Sequence, residues 1–209
     1  LGASFCHRDG HVNPFHLTWA YARAAERLGA RIHTFCEVER VLVDDGRVRG
    51  VQTARGRVEA PVVVICAGAE GADLARQAGL EVPLYAERHQ ILVTEPVAHF
   101  LDPLVLCFGD GTYFKQTPHG SFLIGIGDPT EQKGYGQESS WQFLENAARL
   151  ITRRMPVLSE VRVVRQWAGL YDITPDSQAI VGPTDIEGLW LDIGWSGHGL
   201  QFAPSIGLI

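Results

Sequence analysis

The chain has no C-x-x-C pair. Its four cysteines, Cys6, Cys36, Cys66 and Cys107, stand far apart in 209 residues. That spacing argues against a zinc site or a disulfide framework and predicts reduced thiols in the core. There is no apolar run near the roughly 20 residues that span a bilayer. There is no basic stripe either: the net charge is -6 and its charges are dispersed, which argues against a nucleic-acid partner. Internal repeats and low-complexity linkers are absent, as is a secretory signal. The start, "LGASFCHRDGHVNP", has neither an initiator methionine nor a charged leader, and "APSIGLI" stops inside a helical pattern without a cap. Both ends read as cut, so the chain is expected to be part of a longer protein. Its location is expected to be the cytoplasm, or the mitochondrial matrix in a eukaryote. His7, His11 and His16 straddle a loop and a helix start, so they read as loop histidines and no metal is expected.

What is present is the composition of a globular protein, 45% hydrophobic, with 23 glycines that point to many tight turns. Asn13-Pro14 is a helix start, and Leu17, Ala20, Tyr21, Ala24, Ala25 and Leu28 recur at helical spacing up to Gly29, predicting one buried helix face. Asp45-Gly46 and Arg55-Gly56 sit between alternating segments and predict two hairpins. Val62 to Ala67, "VVVICA", is apolar on both faces and predicts a central parallel strand. It ends in Ala67-Gly68 before a helix from about Gly71 to Ala78, a strand-to-helix turn suited to ligands. From Arg88 to Gly127 alternating segments predict a large antiparallel sheet, joined by a further strand at Val161–Leu170. A helix from about Ser139 to Arg154 carries Trp141, Leu144, Ala148 and Ile151 on one face. The fold class is α/β (α+β): an incomplete Rossmann-like sheet joined to a large antiparallel sheet with flanking helices. Three segments are expected: 1–80, part of a nucleotide-binding domain; 81–175, the antiparallel domain; and 176–209, a return to the first.

"DGHVNP" with its helix, "EVERV…GRVRGVQTARGRVEAPVVVICAGA", "WAGLYDITPDSQAIVG" and "GWSGHGLQFAPSIG", in this order, resemble the D-amino-acid-oxidase-like family. That family includes glycine oxidase, sarcosine oxidase with its β subunit, and dimethylglycine dehydrogenase. The resemblance covers essentially the whole chain. It implies FAD and a reaction in which an amine or amino acid loses a hydride to the flavin, the resulting imine being hydrolysed. It also implies a small-molecule amine substrate and, on the β-subunit branch, a place in a hetero-oligomer. The family opens with G-x-G-x-x-G, which receives the FAD pyrophosphate. Here the nearest match, Gly125-Ile126-Gly127, runs into Asp128-Pro129, so the expected piece is the flavin-ring half.

Carried over residue by residue, the resemblance places Gly194, Ser196, Gly197, His198, Gly199, Leu200 and Gln201 around the flavin ring. Glycines there let backbone N–H groups approach its electron-rich edge. Val38 matches an adenine contact, and Ala67 and Gly68 match a turn near the phosphates and ribose. Gly169 matches a position that carries the flavin-linking cysteine in some members, so FAD is expected to bind non-covalently. Tyr113, Tyr171 and Gln201 match substrate-pocket positions. Tyr171 replaces a carboxylate-binding arginine and Gln201 a lysine, so the family's cationic clamps are missing and no acid or base is assigned. Two other readings stand beside this one. A non-catalytic flavin-fold subunit or binding module would account for the missing clamps. A hydrolase built on Ser196, with Asp192 and His198, is disfavoured because His198 lies too close in sequence to orient onto Ser196.

Overall fold

The computed structural model describes residues 2–208. The chain divides into two compact units. One comprises the residues up to His16, Arg88–Gln132 and Gly136–Gly169; the other comprises Leu17–Glu87, Lys133–Tyr135 and the residues from Leu170 onward.

Helix α1 (Pro14–Arg27) starts where Asn13 Oδ1 accepts from the backbone N–H of Phe15 (3.0 Å) and His16 (3.2 Å). Contrary to the sequence expectation, it buries no residue: Trp19 is 60% and Leu28 90% exposed. The spacing fixed an apolar stripe, but among the described residues nothing covers it. Strands β1 (Val38–Asp44), β2 (Arg47–Thr53) and β3 (Gly56–Glu59) then form an antiparallel sheet. Asp45 and Gly46 both take positive φ, 48° and 70°, as a two-residue hairpin turn demands. The second hairpin closes with Thr53 opposite Gly56.

Strand β4 (Val63–Ile65) leads through a 3-10 turn, Gly68–Glu70, into helix α2 (Gly71–Gln77). Gly71 has no room for a side chain: a Cβ there would come within 2.7 Å of Ile193 Cγ2.

The next strands are β5 (Tyr85–Thr94), β6 (Val105–Cys107), β7 (Thr112–Gln116) and β8 (Phe122–Ile126), followed by helix α3 (Trp141–Arg154) and strand β9 (Val163–Ile173). They form a five-stranded sheet in the order β6-β7-β8-β5-β9, antiparallel between β6 and β7, β7 and β8, and β8 and β5. The predicted large antiparallel sheet is therefore present. In the unit that holds β6, β7, β8 and α3, Phe114, Phe122 and Ile124 pack against Phe143, Ala147 and Ile151 of α3. This corrects the expected helix face. Ser140 caps α3 by accepting from Phe143 N–H, the buried row is Phe143-Ala147-Ile151, and Trp141 is 78% exposed.

Strands β10 (Ile180–Pro183) and β11 (Leu189–Ile193) complete a third sheet, order β10-β11-β4, and helix α4 (Gly199–Ile206) follows. β4 is parallel to β11, as expected, but it is an edge strand, not a central one. Ile65, Leu189, Leu191 and Ile193 pack with Val41, Val48 and Ala75 on one face. Val62, Val64 and Trp190 stay 53%, 54% and 42% exposed. The run is apolar on both faces, yet this chain covers only one. The cysteines also depart from expectation: Cys6 and Cys66 are exposed, and Cys36 and Cys107 half-buried. Among the described residues no helix is long and apolar enough to cross a membrane, and no metal-holding group of His, Cys, Asp or Glu forms.

Candidate functional site

The loop after β11 is organised by Asp172. One of its carboxylate oxygens accepts from Gly194 N–H (2.7 Å), and its carbonyl accepts from Ser196 N–H (3.0 Å). Trp195 is pinned by its indole N–H donating to Asp192 Oδ1 (2.8 Å). Ser196 and Gly197 then take φ of 51° and 86°, two successive left-handed residues that swing the chain into α4. The glycines answer to the protein's own packing. A Cβ at Gly194 would meet Thr174 Cγ2 at 2.6 Å, one at Gly197 would meet the Tyr171 ring at 2.7 Å, and one at Gly199 would meet the Trp195 ring at 3.2 Å. The bare backbone was read as letting the chain approach the flavin ring; at these three positions Thr174, Tyr171 and Trp195 of the protein itself stand where a Cβ would be. What stays open is the end of the helix. His198 stands at the N-cap without a side-chain cap, and Gly197, His198, Leu200 and Gln201 are exposed. Uncapped N–H groups with the positive end of the helix dipole form an electropositive surface.

Within this unit the structure brings the Tyr171 ring against Gly197 of the loop. Burial pushes the Tyr171 phenol above its ordinary value, so it stays protonated. A hydrolytic triad is not assembled. Ser196 is buried, its Oγ 3.4 Å from Thr174 N and Gly194 O, while Asp192 is held by the Trp195 indole. Cys66 lies 3.8 Å from the same Asp192, and burial followed by that carboxylate raises its thiol, which makes it a poor nucleophile.

Ala67 and Gly68 form the turn between β4 and α2. Gly68 takes a left-handed φ of 53°, which glycine adopts without strain, and has open space where a Cβ would be. Val38 opens β1 opposite Thr53 and is half-buried. Gly169, on β9, likewise has open space around it.

Tyr113 belongs to the other unit. On β7, Thr112, Phe114 and Gln116 are buried, while Tyr113 and Lys115 point to the opposite face and are half-buried. Tyr113 is in register with Gly125 of β8, and a Cβ at Gly125 would sit 2.1 Å from Tyr113 Cζ. The ring therefore crosses β8 where no side chain stands. Its hydroxyl reaches β5, where it shares a 2.7 Å hydrogen bond with His89 Nε2, the two rings stacked 5.7 Å apart. Burial lowers the His89 pKa, outweighing the opposing pull of Glu131, so the ring is neutral at pH 7. His89, Gly125 and Lys115 were missed in the sequence. The one available signal was the glycine inside an apolar strand, which marks a close approach but does not name its occupant.

The described chain is thus a mixed α/β fold with an antiparallel sheet and an uncapped helix entered through a glycine loop. All of residues 1–209 match the family model DAO, FAD dependent oxidoreductase, and the chain belongs to that family. It is 30% identical over 207 residues to sarcosine oxidase subunit beta of Rhodobacter capsulatus, covering 99% of this chain and 50% of that protein. It is 34% identical over 171 residues to glycine oxidase of Pseudomonas putida, covering 81% and 46%. Among solved structures, L-proline dehydrogenase from P. horikoshii superimposes with a TM-score of 0.87 at 30% identity, covering 93% of this chain and 53% of that one. The chain thus spans about half the length of the relatives it matches.

The residues present fit one part of FAD. The uncapped N-terminus of α4, with Gly199 as its first residue, suits the electron-rich edge of the ring. Gly125-Ile126-Gly127 does not fit a pyrophosphate: Gly125 lies under Tyr113, and no helix begins until Trp141.

Proposed function

We propose that the protein containing this chain is an FAD-dependent oxidoreductase of amines or amino acids, of the sarcosine, dimethylglycine, glycine or D-amino acid type. The observation that carries this reading is the open, uncapped start of α4 behind Ser196 and Gly197, in a chain of this family. The N–H groups of Gly197, Gly199 and Leu200 would hold the ring edge, with His198 and Gln201 beside them. Ala67, Gly68 and Val38 would lie along the adenosine side. Gly169 offers no nucleophile, so FAD is held non-covalently at that position. FAD, when bound, supplies an acceptor for a hydride from the carbon that bears the nitrogen. The chain's own part is to orient that carbon and to stabilise developing negative charge with fixed N–H dipoles. Tyr113, Tyr171 and Gln201 are the substrate-binding residues of this proposal. The similarity to a β subunit supports a place in a hetero-oligomer.

The test is anaerobic mixing of the purified holoprotein with sarcosine, dimethylglycine, glycine and a D-amino acid, followed by flavin absorbance. Bleaching by at least one of them is expected. A bound flavin bleached by none would leave the non-catalytic subunit reading in its place. A protein that carries no flavin would overturn the proposal outright.

A further inference from the structure

Strand β3 has one neighbour among the described residues, β2, so its other edge is open. All four of its residues, Gly56–Glu59, are exposed. Antiparallel neighbours alternate between residues that exchange backbone hydrogen bonds and residues that do not. Ala60 N–H donates to the Arg49 carbonyl (3.2 Å), and from there the register runs Glu59 to Gly50, Val58 to Val51, Arg57 to Gln52 and Gly56 to Thr53. Ala60, Val58 and Gly56 therefore bond inward to β2, and the N–H and C=O groups of Arg57 and Glu59 turn to the open edge. Such edges pair with another strand unless proline, charge or a bulge blocks them. Pro61 ends the ladder on one side. The two charges of the strand, Arg57 and Glu59, are of opposite sign, so they do not repel every partner; they select one.

An antiparallel copy of β3 centred on Val58 sets Arg57 of each chain opposite Glu59 of the other, about a two-fold axis. These are the residues whose backbone groups face outward, so the same register lets both pairs exchange their N–H···O=C bonds. The Arg57–Glu59 contact within one chain is 3.5 Å long and solvent-exposed, so exchanging it for the other copy's carboxylate costs little. On the opposite face the two Val58 residues meet at the axis, where the Cα atoms of such a pair lie about 4.5 Å apart. Val58 stands opposite Val51 and Val51 opposite Val41, a row that is 3% exposed at Val41 and 54% at Val58. A second copy continues that row and removes its open end from water. We infer that β3 is an interaction edge for a second copy of this chain, the two strands pairing antiparallel about Val58 to join two β1-β2-β3 sheets into one. This goes beyond the oxidoreductase reading and uses none of the residues assigned there to FAD or substrate. The paired strands are short, so the dimer belongs to the weak, concentration-dependent class.

The test is sedimentation velocity of the purified protein over roughly 10 µM to 1 mM, with R57E, E59R, the double variant and an equimolar mixture of the two single variants. Wild type is expected to pass from monomer toward dimer as concentration rises. R57E sets like charge against the other copy's Glu59, and E59R against its Arg57, so each should weaken association by at least about tenfold. The double variant should restore it. The mixture should restore it too, because the acidic strand of one variant meets the basic strand of the other; a role confined to the folding of a single chain gives no rescue by mixing. E59P adds a second route. The Glu59 N–H faces the open edge, so proline there removes an intermolecular donor and no bond to β2, and association should fall while thermal unfolding changes little. If E59P does not fold, the charge variants decide alone. A wild type that stays monomeric throughout the range overturns the inference. So does association that ignores both charge reversals, which would place the contact on another surface, such as that of Val64 and Trp190.

Discussion

Two sheets of this molecule differ in how their faces are covered. On the β7-β8 part of the five-stranded sheet, one face is closed by α3 over Phe114, Phe122 and Ile124, and the other carries a polar group of Tyr113, His89 and Lys115. The β10-β11-β4 sheet is packed on one face only; on the other, Val62, Val64, Val181 and Trp190 are open to solvent. On β7 of the first sheet the side chains alternate strictly: Thr112, Phe114 and Gln116 turn inward, Tyr113 and Lys115 outward. In the second both faces are apolar, which is the pattern of a sheet covered on two sides, and this chain supplies one cover. A large apolar patch is a contact surface in need of a partner. The two regions therefore differ in self-sufficiency. The first is a finished core with a specific face, the second a half-finished one.

The largest expected effect falls on the finished core. Phe122 is fully buried, so Phe122→Ala should cost about 3–5 kcal/mol in urea unfolding, through lost burial and the cavity left against α3. A cost below about 1 kcal/mol would mean that this core is not closed as described.

The next effect probes the loop after β11. Gly197 holds φ of 86° and lies under the Tyr171 ring, so Gly197→Ala should destabilise by about 1–2 kcal/mol from backbone strain alone and displace the ring further. Denaturation together with flavin content of the holoprotein checks it; unchanged values of both would remove Gly197 from the loop's design.

A pH effect sharpens the comparison on the side of the first sheet. Burial would raise the Glu131 carboxyl, but hydrogen bonds from Gln90, the Gln132 N–H and Arg88 outweigh it and hold the pKa below the ordinary 4.5. A carboxylate depressed in the folded state stabilises above its unfolded pKa, and that contribution is lost as pH falls through the folded value. Stability should therefore decline on acidification below about pH 4.5, and Glu131→Gln should flatten that decline while lowering stability at pH 7. Equal pH dependence of the two proteins would show that Glu131 is not the responsible group.

The smallest effect belongs to the open face. Trp190→Ser should change unfolding free energy less than the core substitution, because 42% of the residue is already exposed, while reducing self-association in light scattering. A large destabilisation would mean that Trp190 is packed.

Much of the fold was legible because its signals are local. Asp45-Gly46 needs two positive φ values, Asn13 caps the residues immediately following it, and the alternation in Tyr113–Thr117 declares two faces without reference to anything else. What was illegible depends on partners distant in sequence. The α3 face was misread because Leu144-Ala148-Ile151 and Phe143-Ala147-Ile151 both satisfy helical spacing, and only the sheet beneath decides between them. The partners of Gly194 and Gly197 are Thr174 and Tyr171, twenty or more residues away, so the crowding that demands glycine cannot be read from the loop itself. His89 is joined to Tyr113 by the register of three strands.

The measurement that tests the central claim most directly is hydrogen–deuterium exchange of the holoprotein, with FAD bound and after its removal, read at the amides of Gly194–Gln201. The account predicts that FAD slows exchange at Gly197, Gly199 and Leu200, at the uncapped start of α4, more than in the β1-β2 hairpin. Protection confined to other segments, with those amides unchanged, would contradict the assignment of this loop to the flavin ring.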